Sequence, residues 1–450
     1  MFNFNKYLNR IILFSAVSLF ICCSNNNDGN NSNNAFKGEI EFIKTLGGTK
    51  NESALSVTNT SDSGYAILGY AQSMDGDIVN KTNESFDYWL LKFDEESNLQ
   101  WQNNYGGSDD DRGNKIIQTN DGGYIILGFS KSNDIDVTDN SGAQDFWVAK
   151  LNASGGILWQ KSIGFSGADI GISIIQTNDN GYLLTGVLDV SSSEGQGNSK
   201  ISSLQKHAGG DYWAIKLNNL GDKEWSKFYG GSFTDTPYDV IQTDDNGYII
   251  VGSSDSNDVD ISANKGSYDF WVIKISETGN LLWEKSFGGS EIDEARAITS
   301  TGDGNYIIVG DTRSSDFDVS ENKGAADLWV IKISPTGTLI WEKSFGGSSF
   351  DVGRSLRKTN DNGFILSWSY RRSDGNLSNN NGQNDAWALK IDANANLEWQ
   401  KTIGGSEIDF AFDAIELNDK SIIVVGETSS NNLDIPKNNG FKDLLIFQIK

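Results

Sequence analysis

An acid stands four residues after each of seven recurring glycine pairs: Glu52, Asp111, Asp169 (after Gly-Phe), Asp235, Asp293, Asp351 and Asp409. Seven carboxylates in one register can do two kinds of work. Each can accept backbone N–H bonds and fix its own turn, or together they can form a cation-attracting mouth. Strict repetition favours the turn. A second acidic set reads Asp75/Asp77, Asp134/Asp136, Asp258/Asp260 and Asp316/Asp318, with degenerate versions at Ser192/Glu194, Asp374/Asn376 and Asn432/Asp434. In DVDISANKG, residues 258–266, Asp258, Asp260, Ser262 and Asn264 offer hard oxygens at alternate positions, a spacing that could bind Ca²⁺. The EF-hand glycine and its bidentate glutamate are missing, so Asx-turn chemistry competes with calcium.

Departures from the repeat are where a scaffold carries specific chemistry. The segment SWSYRRSDGN, 367–376, puts Trp368 in place of a glycine and follows it with Tyr370, Arg371 and Arg372. An aromatic and paired arginines in an acidic chain suit a carboxylated sugar or a protein partner. His207, the only histidine, lies in an 8-residue insertion within 191–210 and is read as a surface residue. Asp269 and Lys274, with their equivalents, are read as strand-end and inter-blade polar contacts.

What must position these residues is a repeat. The third-strand aspartates Asp87, Asp145, Asp211, Asp269, Asp327, Asp385 and Asp443 recur every 58 residues once the insertion is removed. Twelve of the 13 tryptophans fall on two repeat positions, which makes them core residues between units. Each unit holds four short apolar runs bounded by Gly/Asn/Asp turns, as in ARAITST, NYIIVGDT, DLWVIKIS and TLIWEKSF. The last unit stops after its third strand at residue 450. The missing fourth strand is GEIEFIKTLGG, 38–48, at the other end of the chain. An open solenoid gains nothing from that offset. A closed ring loses two raw edges by it. The reading is an all-β, seven-bladed propeller over 38–450 whose N-terminal strand completes the last blade.

Composition narrows the function. A formal net charge of −25 argues against nucleic acid as a partner. One histidine and two cysteines argue against a Cys/His zinc site. Lys6 and Arg10 precede an apolar stretch, 11–21, too short to span a bilayer, so residues 1–22 read as an export signal. Both cysteines come directly after it. The arrangement resembles a bacterial lipoprotein signal, with Cys23 preferred over Cys22 as the lipidated residue. Residues 23–37 form an Asn-rich tether like those of Bacteroidota surface lipoproteins.

The repeat itself, in DFWVAKLNASGGILWQKSIG (145–164) and GGSDDDRGNKIIQTNDGGYIILG (106–128), resembles the bacterial seven-bladed β-propeller repeat family of the SBBP type. That resemblance implies a scaffold with many uses and carries no catalytic residue. The expectation is a monomeric, non-enzymatic lipoprotein on the outer membrane, binding a glycan or protein. An outer-membrane assembly scaffold and a carboxylate-based glycoside hydrolase are the alternatives.

Overall fold

The computed structural model describes residues 38–198, 207–371 and 380–450. Cys22, Cys23, Arg372, the Asp374/Asn376 pair and most of the insertion lie outside the described residues. Seven four-stranded antiparallel sheets succeed one another, six of them ordered as the chain runs from innermost to outermost strand. Blade 5 is typical: Asp293–Ser300, Tyr306–Thr312, Asp327–Ile333 and Leu339–Phe345. Its second and third strands are buried at every position, which is why both read as unbroken apolar runs. In the seventh blade Ile40–Leu46 pairs antiparallel with Asp443–Ile449 and closes the ring. Blade 3 has one helical turn, Val190–Ser193, after its second strand, which the sequence pattern does not announce.

The third-strand tryptophans, such as Trp147 and Trp329, are fully buried and pack edge-on against the preceding blade's Tyr88 and Phe270. The repeated lysine of that strand acts within its own blade, not between blades. Lys274 reaches Asp245 at 2.7 Å, in the turn joining the first two strands. Lys150 reaches Asp121 at 2.9 Å, and Thr119 and the Gly123 N–H donate to the same carboxylate. In the last blade Gln448 replaces the lysine and donates instead to the Ser421 hydroxyl.

Blade junctions on the opposite face are built from acids. Asp293 is fully buried and accepts the Gly289 N–H at 2.7 Å and the Ser314 hydroxyl at 2.8 Å. All seven acids of this set are equally buried. They are turn anchors and cannot form a cation-attracting mouth. The third-strand Asp269 of the preceding blade closes over the same loop. Its Oδ2 accepts the Lys265 N–H at 2.7 Å, and its Oδ1 has no partner. A Cβ on Gly288 would sit 2.5 Å from Asp269 Oδ1 and 2.6 Å from Asp293 Oδ2, so only glycine fits between the two carboxyls. Asp87/Asp111, Asp145/Asp169 and Asp443/Glu52 repeat the arrangement around Gly106, Gly164 and Gly47. In blade 3 His207 Nδ1 supplies the bond to Asp211, at 2.6 Å, that the Lys81 ammonium supplies to Asp87 in blade 1 and a backbone N–H supplies in the other five. This histidine is therefore a buried junction residue and not a surface one.

Burial pushes these carboxyls up, and the facing acid adds to it: Asp269 to about 7, Asp145 and Asp443 to about 6. A folded-state value above the unfolded one means that folding takes up protons. Their contribution is complete below about pH 4 and is lost as pH rises through 6 to 7. The turn acids on the other face act in the opposite sense. At Asp121 and Asp361 partial burial is outweighed by threonine and lysine donors, which hold both at about 2. The melting temperature should therefore peak between about pH 4 and 6 and drop by several degrees by pH 8. A pH series of thermal melts checks this. Asp269→Asn should flatten the slope between pH 6 and 8, and an unchanged slope would remove the junction acids as its source.

Candidate functional site

The ring encloses a channel, and one irregularity per blade fills it. Every innermost strand carries a β-bulge, between Ala54/Ser56, Gly113/Lys115, Gly171/Ser173, Pro237/Asp239, Ala295/Ala297, Gly353/Ser355 and Ala411/Asp413. A bulge re-aims the extra side chain out of the ladder. The seven extra residues are Leu55, Asn114, Ile172, Tyr238, Arg296, Arg354 and Phe412, and all line a cavity of about 530 Å³. Each stands three residues after a junction acid, so the repeated anchor sets the height of a non-repeated side chain.

Below this ring the next residues form a charge-balanced layer. Asp413 is buried and takes Arg357 Nη2 at 2.8 Å and Nε at 3.2 Å, with Ser355 Oγ at 2.5 Å. Burial alone would raise its pKa, but Arg357 and Lys115 outweigh it and hold the carboxyl at about 2. Asp239 accepts from Ser173 at 2.9 Å and lies 3.9 Å from Lys115. Two acids here face two cations, and the layer acts as a polar floor.

Above it, toward the long-loop face, cations and aromatics alternate. The Arg296 guanidinium lies 4.1 Å over the Tyr238 ring, pairs with Glu294 at 2.9 Å and stands 3.6 Å from Asp311. Arg112 lies 4.1 Å over Phe86 and 5.1 Å from Tyr70. Arg313 caps Phe350 at 5.5 Å. Arg354 faces the Phe412 ring at 5.5 Å and, among the described residues, makes no ion pair. Desolvation by the channel walls and the neighbouring Arg296 hold its pKa below the usual arginine range. It nonetheless stays a cation at neutral pH, because guanidinium does not deprotonate there. Such a mouth can take an anion bidentately and stack a ring beside it.

The residues singled out from sequence fare differently. Trp368 and Tyr370 are fully buried, so neither is a ligand contact. Gly353 explains how the tryptophan fits: a Cβ there would fall 1.5 Å from the Trp368 ring. The departure at 368 is accommodated by a glycine on the facing strand, a position that is also glycine at Gly113 and Gly171. Arg371 is exposed, just after the second strand of blade 6, the place Arg313 takes in blade 5. The oxygens considered for calcium are engaged separately. Asp258 accepts the Ser232 N–H at 2.9 Å and Asp260 the Gly230 N–H at 3.2 Å. Ser262 bonds Glu284, and Asn264 the Ser254 carbonyl. Asp134/Asp136 and Asp316/Asp318 repeat the first two contacts on Ser108/Gly106 and Ser290/Gly288. Among the described residues no group of three or more His, Cys, Asp or Glu is placed to hold a metal ion.

Sequence reasoning misses the bulge ring, although a signal exists. The residue three beyond each junction acid reads Leu, Asn, Ile, Tyr, Arg, Arg, Phe, directly after a position that is Ala, Gly or Pro in every blade. Six of the eight arginines also fall within 296–372.

No family model matches the chain, and no curated protein matches it. Solved structures align with it at low identity and with TM-scores under 0.5. A Bacteroides caccae protein of unknown function is 10% identical, covers 74% of this chain and 93% of its own, and has a TM-score of 0.40. Sqt1 from Chaetomium thermophilum is 8% identical over 91% of this chain and all of its own, with a TM-score of 0.45. A puromycin hydrolase is 8% identical over 85% of this chain and 51% of its own, with a TM-score of 0.47.

Trp368→Ala should destabilise the fold by about 3–5 kcal/mol, as loss of a fully buried tryptophan does, without altering anion affinity. Denaturant unfolding of the variant measures the first effect. Titrating Ca²⁺ into EDTA-treated protein should leave the melting temperature unmoved; a saturating rise would return the Asp-x-Asp loops to metal binding.

Proposed function

We propose that this chain is a ligand-binding propeller whose channel mouth takes an anionic, ring-bearing ligand, with an acidic glycan as the first class to test. The observation that carries this reading is Arg354, a channel-facing guanidinium without an ion pair among the described residues, set between Arg296 and Phe412 in a protein of net charge −25. The reading includes export and lipidation at Cys23, attachment to the outer membrane, a monomeric state and membership of the SBBP-type repeat family. Glu39 pairs with Lys450 on the short-turn face of the propeller, opposite the face that carries the arginine mouth.

The test is isothermal titration of the mature protein with a hexagalacturonate, with cellohexaose as the neutral control. Binding of the acidic oligomer alone, weakening with salt, is the expected result. Arg354→Ala should weaken it about tenfold or more, the loss of one charge-assisted contact worth roughly 1.5–3 kcal/mol. Equal binding of both oligomers, or no effect of the substitution, would overturn the site.

A second reading, hydrolysis by carboxylates, rests on Glu294 and Asp311. They lie opposite each other across the ladder and share Arg296. Burial, only partly offset by Arg296, pushes Asp311 up to about 6, the condition a general acid needs. Release of reducing ends from the same oligomer, abolished by Asp311→Asn with binding retained, would support it. Recovery of intact oligomer after prolonged incubation would remove it.

A further inference from the structure

The long-loop face carries four bulky residues in a backbone conformation that disfavours them. Ile135 (φ 59°), Val259 (φ 58°), Phe317 (φ 52°) and Leu433 (φ 60°) are all left-handed. Their exposures are 70, 48, 71 and 68%. Left-handed backbone is uncommon for any residue with a side chain and is an outlier for branched or bulky ones. They occupy one structural position, in blades 2, 4, 5 and 7: the middle of the Asp-x-Asp (Asn-x-Asp in blade 7) segment.

The loop imposes that backbone. In blade 5 Asp316 Oδ1 accepts the Ser290 N–H at 2.8 Å, while the Asp318 N–H donates to the Gly288 carbonyl at 3.2 Å. The residue between has no choice but to bend left. What the loop does not impose is a side chain. Blade 1 solves the same geometry with Gly76, at φ 69°, between Asp75 and Asp77. Glycine adopts that conformation freely. The four apolar side chains point outward, so they add nothing to the core in return for the strain. Strain kept against an easy alternative marks positions held for contact. Phe233 and Phe441, 58 and 73% exposed, add to the same face.

Charge selects the occupant. Ile135, Val259 and Phe317 each lie between two carboxylates and Leu433 beside one, and the chain carries −25 overall. An anionic bilayer or a second copy would set like charge against like, which interfaces avoid. We infer that these tips form a docking crown for a protein partner with a basic surface and apolar pockets between its cations. The crown is independent of the arginine mouth, so the two fail separately.

The experiment uses the mature protein and a variant carrying Ile135→Gly, Val259→Gly, Phe317→Gly and Leu433→Gly. Blade 1 shows that the loop tolerates the change. The variant should melt no lower than the parent, and it should keep hexagalacturonate binding. The probe is a labelled helical peptide with one leucine face and one lysine face, followed by fluorescence anisotropy. A lysine/serine peptide of equal charge is the control. The parent should bind the leucine/lysine peptide at least tenfold more tightly than both the control peptide binds the parent and the variant binds the leucine/lysine peptide. Equal affinity of parent and variant would overturn the crown. So would binding to phosphatidylcholine/phosphatidylglycerol vesicles, or self-association in sedimentation, that the four glycines abolish; these would name a membrane or a second copy as the occupant.

Discussion

A carboxylate taken out of water without a cation must find its donors in the backbone, and at the blade junctions this protein makes that requirement its joint. The first acid of an innermost strand accepts the N–H four residues earlier and hydroxyls from its own second strand and the loop beyond, as Asp111 does from Gly107, Ser130 and Ser132. One side chain thereby fixes the crossing loop, the start of the new blade and the height of its strands. The preceding blade's third-strand aspartate closes over the same glycine, so no larger residue enters. Two acids brought together in this way are poor neighbours when ionised, and burial deepens the penalty. The ring accepts that penalty in exchange for a joint that cannot slide by one residue.

Because the joint fixes register, the residues after it are placed as firmly as the joint itself. Three residues on, every innermost strand bulges, and the extra residue turns into the channel. Repeated and non-repeated positions are thus interleaved at single-residue resolution. Ala295 stands where other blades carry Ala54, Gly113 or Ala411, whereas Arg296 beside it stands where other blades carry Leu55 or Ile172. The clamp from the Asp-x-Asp loop works the same way at the rim. It is rigid in its two acids and open in the residue between. Scaffold and site do not occupy separate parts of the chain; they alternate within one strand and within one loop.

This interleaving explains what is legible in the sequence. The blade count, the four-strand grammar and the closure by residues 38–48 rest on landmarks repeated seven times. The turn role of Asp293 and its equivalents rests on the same strictness. The local site is not legible in that way. Trp368 stands out as a departure, but the glycine that makes room for it, Gly353, lies on the neighbouring strand, 15 residues away and recognisable as its neighbour only once the two strands are in register. The lysine partners are misplaced for a related reason. Lys274 meets Asp245 by the antiparallel return of the chain within one blade, and sequence spacing alone does not separate that from a contact between blades. Bulges are the hardest case. A one-residue insertion common to all copies leaves the repeat length unchanged, so the channel-facing position hides inside an apparently regular strand.

The arginine mouth sits in a molecule whose total charge should repel the ligands it suits, and screening reconciles the two. At physiological ionic strength charges more than about 8 Å away count for little. An anion in bulk solvent meets a weak, screened repulsion. An anion within the channel meets Arg296 and Arg354, set against aromatic faces that exclude water on one side. The outer field therefore gives no steering and lowers the encounter rate, while the inner one rewards only a ligand that fits deeply enough to leave the screening behind. Small hydrated anions gain little from that exchange. A ligand that brings a ring to stack beside its charge gains from both, and shape then decides what stays in the mouth.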